Sequence, residues 1–104
     1  MAVSFERALK DLLETGKYII GSKRSLKALK LGQAKMIIMA ENAPPSYKKK
    51  ALYYAKLAKV PVYIYKGTSV ELGTLAGKPF RISMIAVLDE GSSKIMELAE
   101  ESAG

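Results

Sequence analysis

Gly21-Ser22-Lys23-Arg24-Ser25 follows the short apolar run Tyr18-Ile19-Ile20 and opens a segment with helical spacing. Gly21 can adopt backbone conformations closed to other residues, so a ligand can approach the main chain there. Ser22 or Ser25 can accept a hydrogen bond from a free amide of the first helical turn, and the remaining amides with the helix dipole favour an anion. Lys23 and Arg24 stand where a helix start disfavours cations. Two readings follow: a capped helix start with two solvated cations, or a seat for a polyanion. Nucleotide fingerprints are missing, since the segment has neither Walker lysine spacing nor G-x-G-x-x-G. Acid/base and nucleophilic chemistry find no footing either. The chain has no His and no Cys, and the isolated acids Glu41 and Glu71 fit turn and helix-cap roles.

Charge distribution favours the polyanion. The 104 residues carry a net charge of +7, and residues 17–81 hold 14 of the 17 basic side chains with only Glu41 and Glu71 as acids, a local excess of +12. Both ends are mildly acidic. Such asymmetry points to a nucleic acid or an acidic surface. With 49% hydrophobic residues the length suits one compact domain over residues 1–104. The lack of Cys excludes disulfides and thiolate metal sites and fits a reducing interior. No apolar run approaches the ~20 residues of a membrane span, the start Phe5-Glu6-Arg7 is unlike a signal peptide, and no helix joins its cations to a bulky apolar face. A soluble intracellular protein without cofactor or membrane partner is expected.

The elements that must position these residues alternate between helix and strand. Ser4 caps a helix with Phe5, Ala8, Leu9, Leu12 and Leu13 at helical spacing, stopped by Gly16. Residues 17–20 form a strand expected to be buried. A second helix runs from Ser22 to Leu31 and ends at Gly32, with Lys23, Lys27 and Lys30 sharing one face. Lys35 to Ala40 lacks alternation and reads as a central strand covered on both sides. Glu41-Asn42-Ala43-Pro44 is a turn, and Pro45 to Ala58 a helix whose Tyr47 and Tyr54 suit core or rim packing. Val60 to Tyr65 is a strand, placed at an edge by Pro61. Thr68-Ser69-Val70-Glu71 is a capping box opening a short helix, in which Gly73 predicts close backbone packing. After the loop Gly77-Lys78-Pro79-Phe80-Arg81 come a last strand, Ile82 to Leu88, and a terminal helix with Ile95, Met96, Leu98 and Ala99.

Alternation predicts a sheet with helices on both faces, and right-handed crossovers make the first three strands parallel. The loops after the first two strands then emerge at one edge. The last strand can run either way. If it is antiparallel, the loop 77–81 joins that edge, which would display Lys23, Arg24, Asn42, Lys78, Phe80 and Arg81 around a glycine. Cations meet phosphates, the amide of Asn42 can bond a base edge, and an exposed Phe80 can stack on an unpaired base. Periodicity leaves Phe80 equally able to fold onto the core. Lys48 is expected to face away from this edge.

The ordered succession of Gly21 to Ser25, Ala34-Lys35-Met36-Ile37-Ile38, Asn42-Ala43-Pro44, Tyr53-Tyr54-Ala55, Glu71-Leu72-Gly73-Thr74 and Gly77 to Arg81 resembles the archaeal and eukaryotic large-subunit ribosomal protein L-thirty-e family over almost the whole chain. The resemblance implies a three-layer α/β/α sandwich with a mixed four-stranded sheet and an antiparallel last strand. It further implies a non-enzymatic protein of cytoplasmic ribosomes, monomeric when free, beside other large-subunit proteins and bound to a kink-turn of ribosomal RNA. By position, Gly21, Ser22, Lys23, Arg24 and Ser25 match the loop and helix start that approach guanines and phosphates. Asn42 matches a base-contacting asparagine, and Lys78, Phe80 and Arg81 fall in the last RNA-contacting loop. An alternative keeps the RNA and changes the assembly, to the core of a guide-RNA particle or a regulator of the protein's own message.

Overall fold

A computed structural model describes residues 4–98. Its elements follow in the order α1 (Phe5–Thr15), β1 (Lys17–Ile20), α2 (Ser22–Lys30), β2 (Met36–Ala40), α3 (Pro45–Ala58), β3 (Val62–Tyr65), α4 (Ser69–Leu75) and β4 (Met84–Asp89). The four strands lie in the order β1-β4-β2-β3. β2 and β3 pair in parallel, whereas β4 runs antiparallel to both neighbours, β1 and β2. β1, β2 and β3 therefore point the same way, with β4 threaded back between the first two.

Two apolar layers hold this sheet. Successive side chains of a strand alternate between faces. Met36, Ile38 and Ala40 of β2 with Ile85 and Val87 of β4 pack under Leu9 and Leu12 of α1 and Leu72 of α4. The intervening Ile37, Met39, Met84 and Ala86 pack under Leu26 and Leu29 of α2 and Ala51 and Ala55 of α3. Both central strands are thus covered twice, which is why β2 reads as an unbroken apolar run. Tyr47 and Tyr54 of α3 are half-buried against this second layer, the packing role expected of them.

Several expected boundaries shift. β1 lies at the sheet's edge, with Lys17 exposed and Tyr18 to Ile20 half-buried, because β4 takes the central place beside β2. β2 begins at Met36, and Lys35 is exposed with its ammonium 3.6 Å from Glu90. β3 starts at Val62 and does sit at the other edge. Ile82, expected to open β4, precedes it as a buried plug in the loop. Residues 95–98 are helical, with Ile95 and Leu98 buried; Ala99 lies outside the described residues.

Candidate nucleic-acid interface

The juxtaposition of three loops follows from backbone pairing where β4 begins. The Gly21 amide at the end of β1 donates to the Met84 carbonyl (3.0 Å), and the Ala40 amide at the end of β2 donates to the Ser83 carbonyl (2.9 Å). The start of β4 is thereby flanked by the ends of β1 and β2. The loops at 21–25 and 41–44 consequently meet the end of the segment 77–83 at one rim, and the antiparallel direction of β4 is the cause.

Gly21 stands at φ 119° and ψ 140°, a region that glycine alone occupies readily, and it caps α2 without any side-chain hydrogen bond. The expected serine cap is therefore not made. Ser25 is fully buried, and its hydroxyl donates to the Ile19 carbonyl (3.3 Å), tying the first turn of α2 back onto β1. Ser22 is half-buried, while Lys23 and Arg24 are exposed. Among the described residues neither cation, nor Lys78 or Arg81, is paired with a carboxylate.

Asn42 is exposed, but its side chain already has a partner. Its Oδ1 accepts the Ser69 amide at 2.7 Å, at the first residue of α4, and the Ser69 carbonyl in turn accepts the Ile82 amide at 2.9 Å. The Asn42 side-chain oxygen and the Ser69 carbonyl thus together link the β2 loop, α4 and the loop before β4. The Nδ2 donors are left for another acceptor. Ser69, 4% exposed, holds this junction, and local pattern marks it only as the residue after a helix cap. Its link to Asn42 spans 27 residues, beyond any motif. The cap itself is as expected, with Thr68 Oγ1 accepting from the Glu71 amide and the Glu71 carboxylate accepting from the Thr68 amide.

The loop carrying Phe80 is rigidly backed. Gly77 turns at φ 73°, the Lys78 amide donates to the Gly73 carbonyl (2.9 Å), and Ile82 is buried. Gly73 packs directly on the Phe80 carbonyl, where any Cβ would collide, as its position inside a helix anticipates. With its backbone held, Phe80 keeps its ring outside, 52% exposed. Beside it Val70, 55% exposed, joins Thr74, Lys78, Pro79 and Arg81 around a shallow depression. Val70 is a further residue at this depression, and the capping-box pattern that contains it marks a helix start without indicating which way its apolar side chain faces.

Lys48 departs from expectation. Its ammonium donates to the Glu41 carbonyl (3.3 Å), so it lies beside the Asn42 loop and supports that loop's backbone. The cause is the tight approach of α3, which starts at Pro45 directly after the turn.

Residues 4–97 match the model of the ribosomal protein L7Ae/L30e/S12e/Gadd45 family. Large ribosomal subunit protein eL30 of Aeropyrum pernix is 52% identical over 96% of this chain and 100% of its own length. The eL30 of Saccharolobus solfataricus is also 52% identical, over 95% of this chain and 92% of its own length. Among solved structures, a Bacillus halodurans protein of unknown function superposes with a TM-score of 0.75, covering 96% of this chain and 99% of that one at 22% identity. That last likeness concerns the fold alone.

Proposed function

The chain belongs to the ribosomal protein L7Ae/L30e/S12e/Gadd45 family, and on that premise we propose that it binds and stabilises a kink-turn in ribosomal RNA. Its coarser role is that of a structural, non-enzymatic protein of the large ribosomal subunit, in line with its eL30 relatives. The observation that carries the finer reading is the composition of the rim. Unpaired cations, free amide donors and a solvent-facing aromatic ring converge on one glycine-bearing edge.

Each group has a distinct task. Lys23, Arg24, Lys78 and Arg81 meet phosphates, together with the uncapped amides at the start of α2. Gly21 lets a base or phosphate come against the main chain, and Ser22 contributes its backbone. Asn42 offers Nδ2 to a base edge while its Oδ1 stays on Ser69. The Phe80 ring, with Val70 next to it, provides a platform for a base unstacked at the bend. Ser25, being buried, acts indirectly by fixing the loop through Ile19. If all four rim cations neutralise phosphates, log K falls with log salt with a slope of about −3.6 from these contacts.

Binding of Phe80→Ala to a kink-turn RNA and to a plain duplex of equal length tests this. Loss of a stacked base weakens the kinked complex by roughly 5- to 150-fold and leaves duplex binding unchanged. Equal loss on both RNAs refutes specific readout at this rim.

A further inference from the structure

A second basic feature leaves the rim along the helical layer. Lys23, Leu26, Lys27 and Lys30 of α2 face Tyr47 and Lys50 of α3 across a groove. Lys23 belongs to both places, since it stands at the rim and at one end of this groove. None of the groove's lysines is ion-paired among the described residues, and no acid lines the groove. The helix dipole accounts in part for Lys27 and Lys30, which lie in the last turn of α2. It gives no reason for Lys50 in the interior of α3 on the opposite wall, or for Lys23 at the helix start. The far end is structurally defined: the Lys30 ammonium sits 5.0 Å from the Tyr54 ring centroid, a contact that holds the side chain near α3.

We infer that this groove takes the phosphate backbone of one RNA stem beyond the bend, with Lys30 and Lys50 as its distal phosphate contacts. The inference rests on the kink-turn reading of the rim and extends it along one strand. Lys23 and Lys30 are seven residues apart, about 10.5 Å along a helix, so the groove is long enough to follow more than one phosphate of a strand. The groove walls are mixed, with Leu26 and the Tyr47 ring set between cations. Because Lys23 stands at both the rim and the groove, a phosphodiester strand leaving the rim enters this groove directly and meets its unpaired cations.

The test uses the full chain and two kink-turn RNAs, one with both stems cut short and one with a stem extended by a half turn, titrated across a potassium chloride series. Lys30→Gln/Lys50→Gln binds the short RNA as the unaltered protein does. On the extended RNA it loses about 0.9 of salt slope per lysine and up to roughly 60-fold in affinity at 0.1 M salt. The charge-matched pair Lys17→Gln/Lys94→Gln, on exposed sites elsewhere, leaves both RNAs unaffected. Equal losses on short and extended RNA, no loss on either, or the same loss from the control pair overturns the groove. The rim is judged separately, by whether the unaltered protein prefers the short kinked RNA to a short duplex. Should that preference be missing, the groove is still decided by the same comparison on short and long duplexes.

Discussion

Gly73→Ala sets two opposing effects against each other, and the geometry decides the sign. Alanine in the interior of a helix is favoured over glycine by about 1 kcal/mol. At Gly73, however, a Cβ would overlap the Phe80 carbonyl oxygen and lie 3.1 Å from its carbon and 3.3 Å from the Arg81 Cα. All three are backbone atoms, so no rotamer change relieves the clash. The loop is also held to α4 by two hydrogen bonds of 2.9 Å, from Lys78 to Gly73 and from Ile82 to Ser69. Overpacking of this kind costs about 1–3 kcal/mol, and straining one of those hydrogen bonds about 1 kcal/mol more. The net expectation is a loss of about 1–3 kcal/mol, seen in thermal melts as a Tm drop of about 4–8 °C per kcal/mol. Because the displaced segment carries Phe80 and Arg81, kink-turn affinity falls further than duplex affinity, which loses only the Arg81 phosphate contact. An unchanged or raised Tm would show that the glycine is merely a poor helix former and that the loop is not braced against it.

Asn42 separates anchoring from recognition. Asn42→Ala removes the acceptor of the Ser69 amide and is expected to lower stability by about 1 kcal/mol as well as RNA affinity, whereas Asn42→Asp keeps the acceptor, loses the donors, and lowers affinity with stability retained. Chemical denaturation alongside binding checks both, and identical stability losses in the two variants would contradict the assignment. Gly21→Ala meets no atom within 4 Å, so its penalty is conformational, about 1–3 kcal/mol from φ 119° alone. A melt as stable as that of the unaltered chain would show that the turn tolerates a side chain.

Residue order alone determined the local units and the chemistry they exclude. The spacing of Leu9 and Leu12 marks α1, the Thr68–Glu71 box marks the start of α4, and the unbroken run 36–40 marks a strand covered on both faces; each signal lies within one or two turns of chain. The concentration of cations in residues 17–81 and the lack of His and Cys likewise needed no coordinates to point away from catalysis and toward a polyanion.

Tertiary structure decided what those signals leave open. Hydrophobic periodicity identifies a strand without stating its neighbour or direction, and here both follow from β4 filling the gap between β1 and β2, where its two apolar faces find helices on either side. That insertion moved β1 to an edge, set the start of β4 beside Gly21, and brought Ile82 to Asn42 through Ser69. The fate of single side chains also depended on partners distant in sequence. Ser25 turns inward to Ile19, Asn42 reaches Ser69, Lys48 braces Glu41, and Phe80 stays outside because Gly73 and Ile82 hold its backbone. Such contacts arise from which surfaces can be buried together, a property of the assembled layers that no short stretch of chain contains.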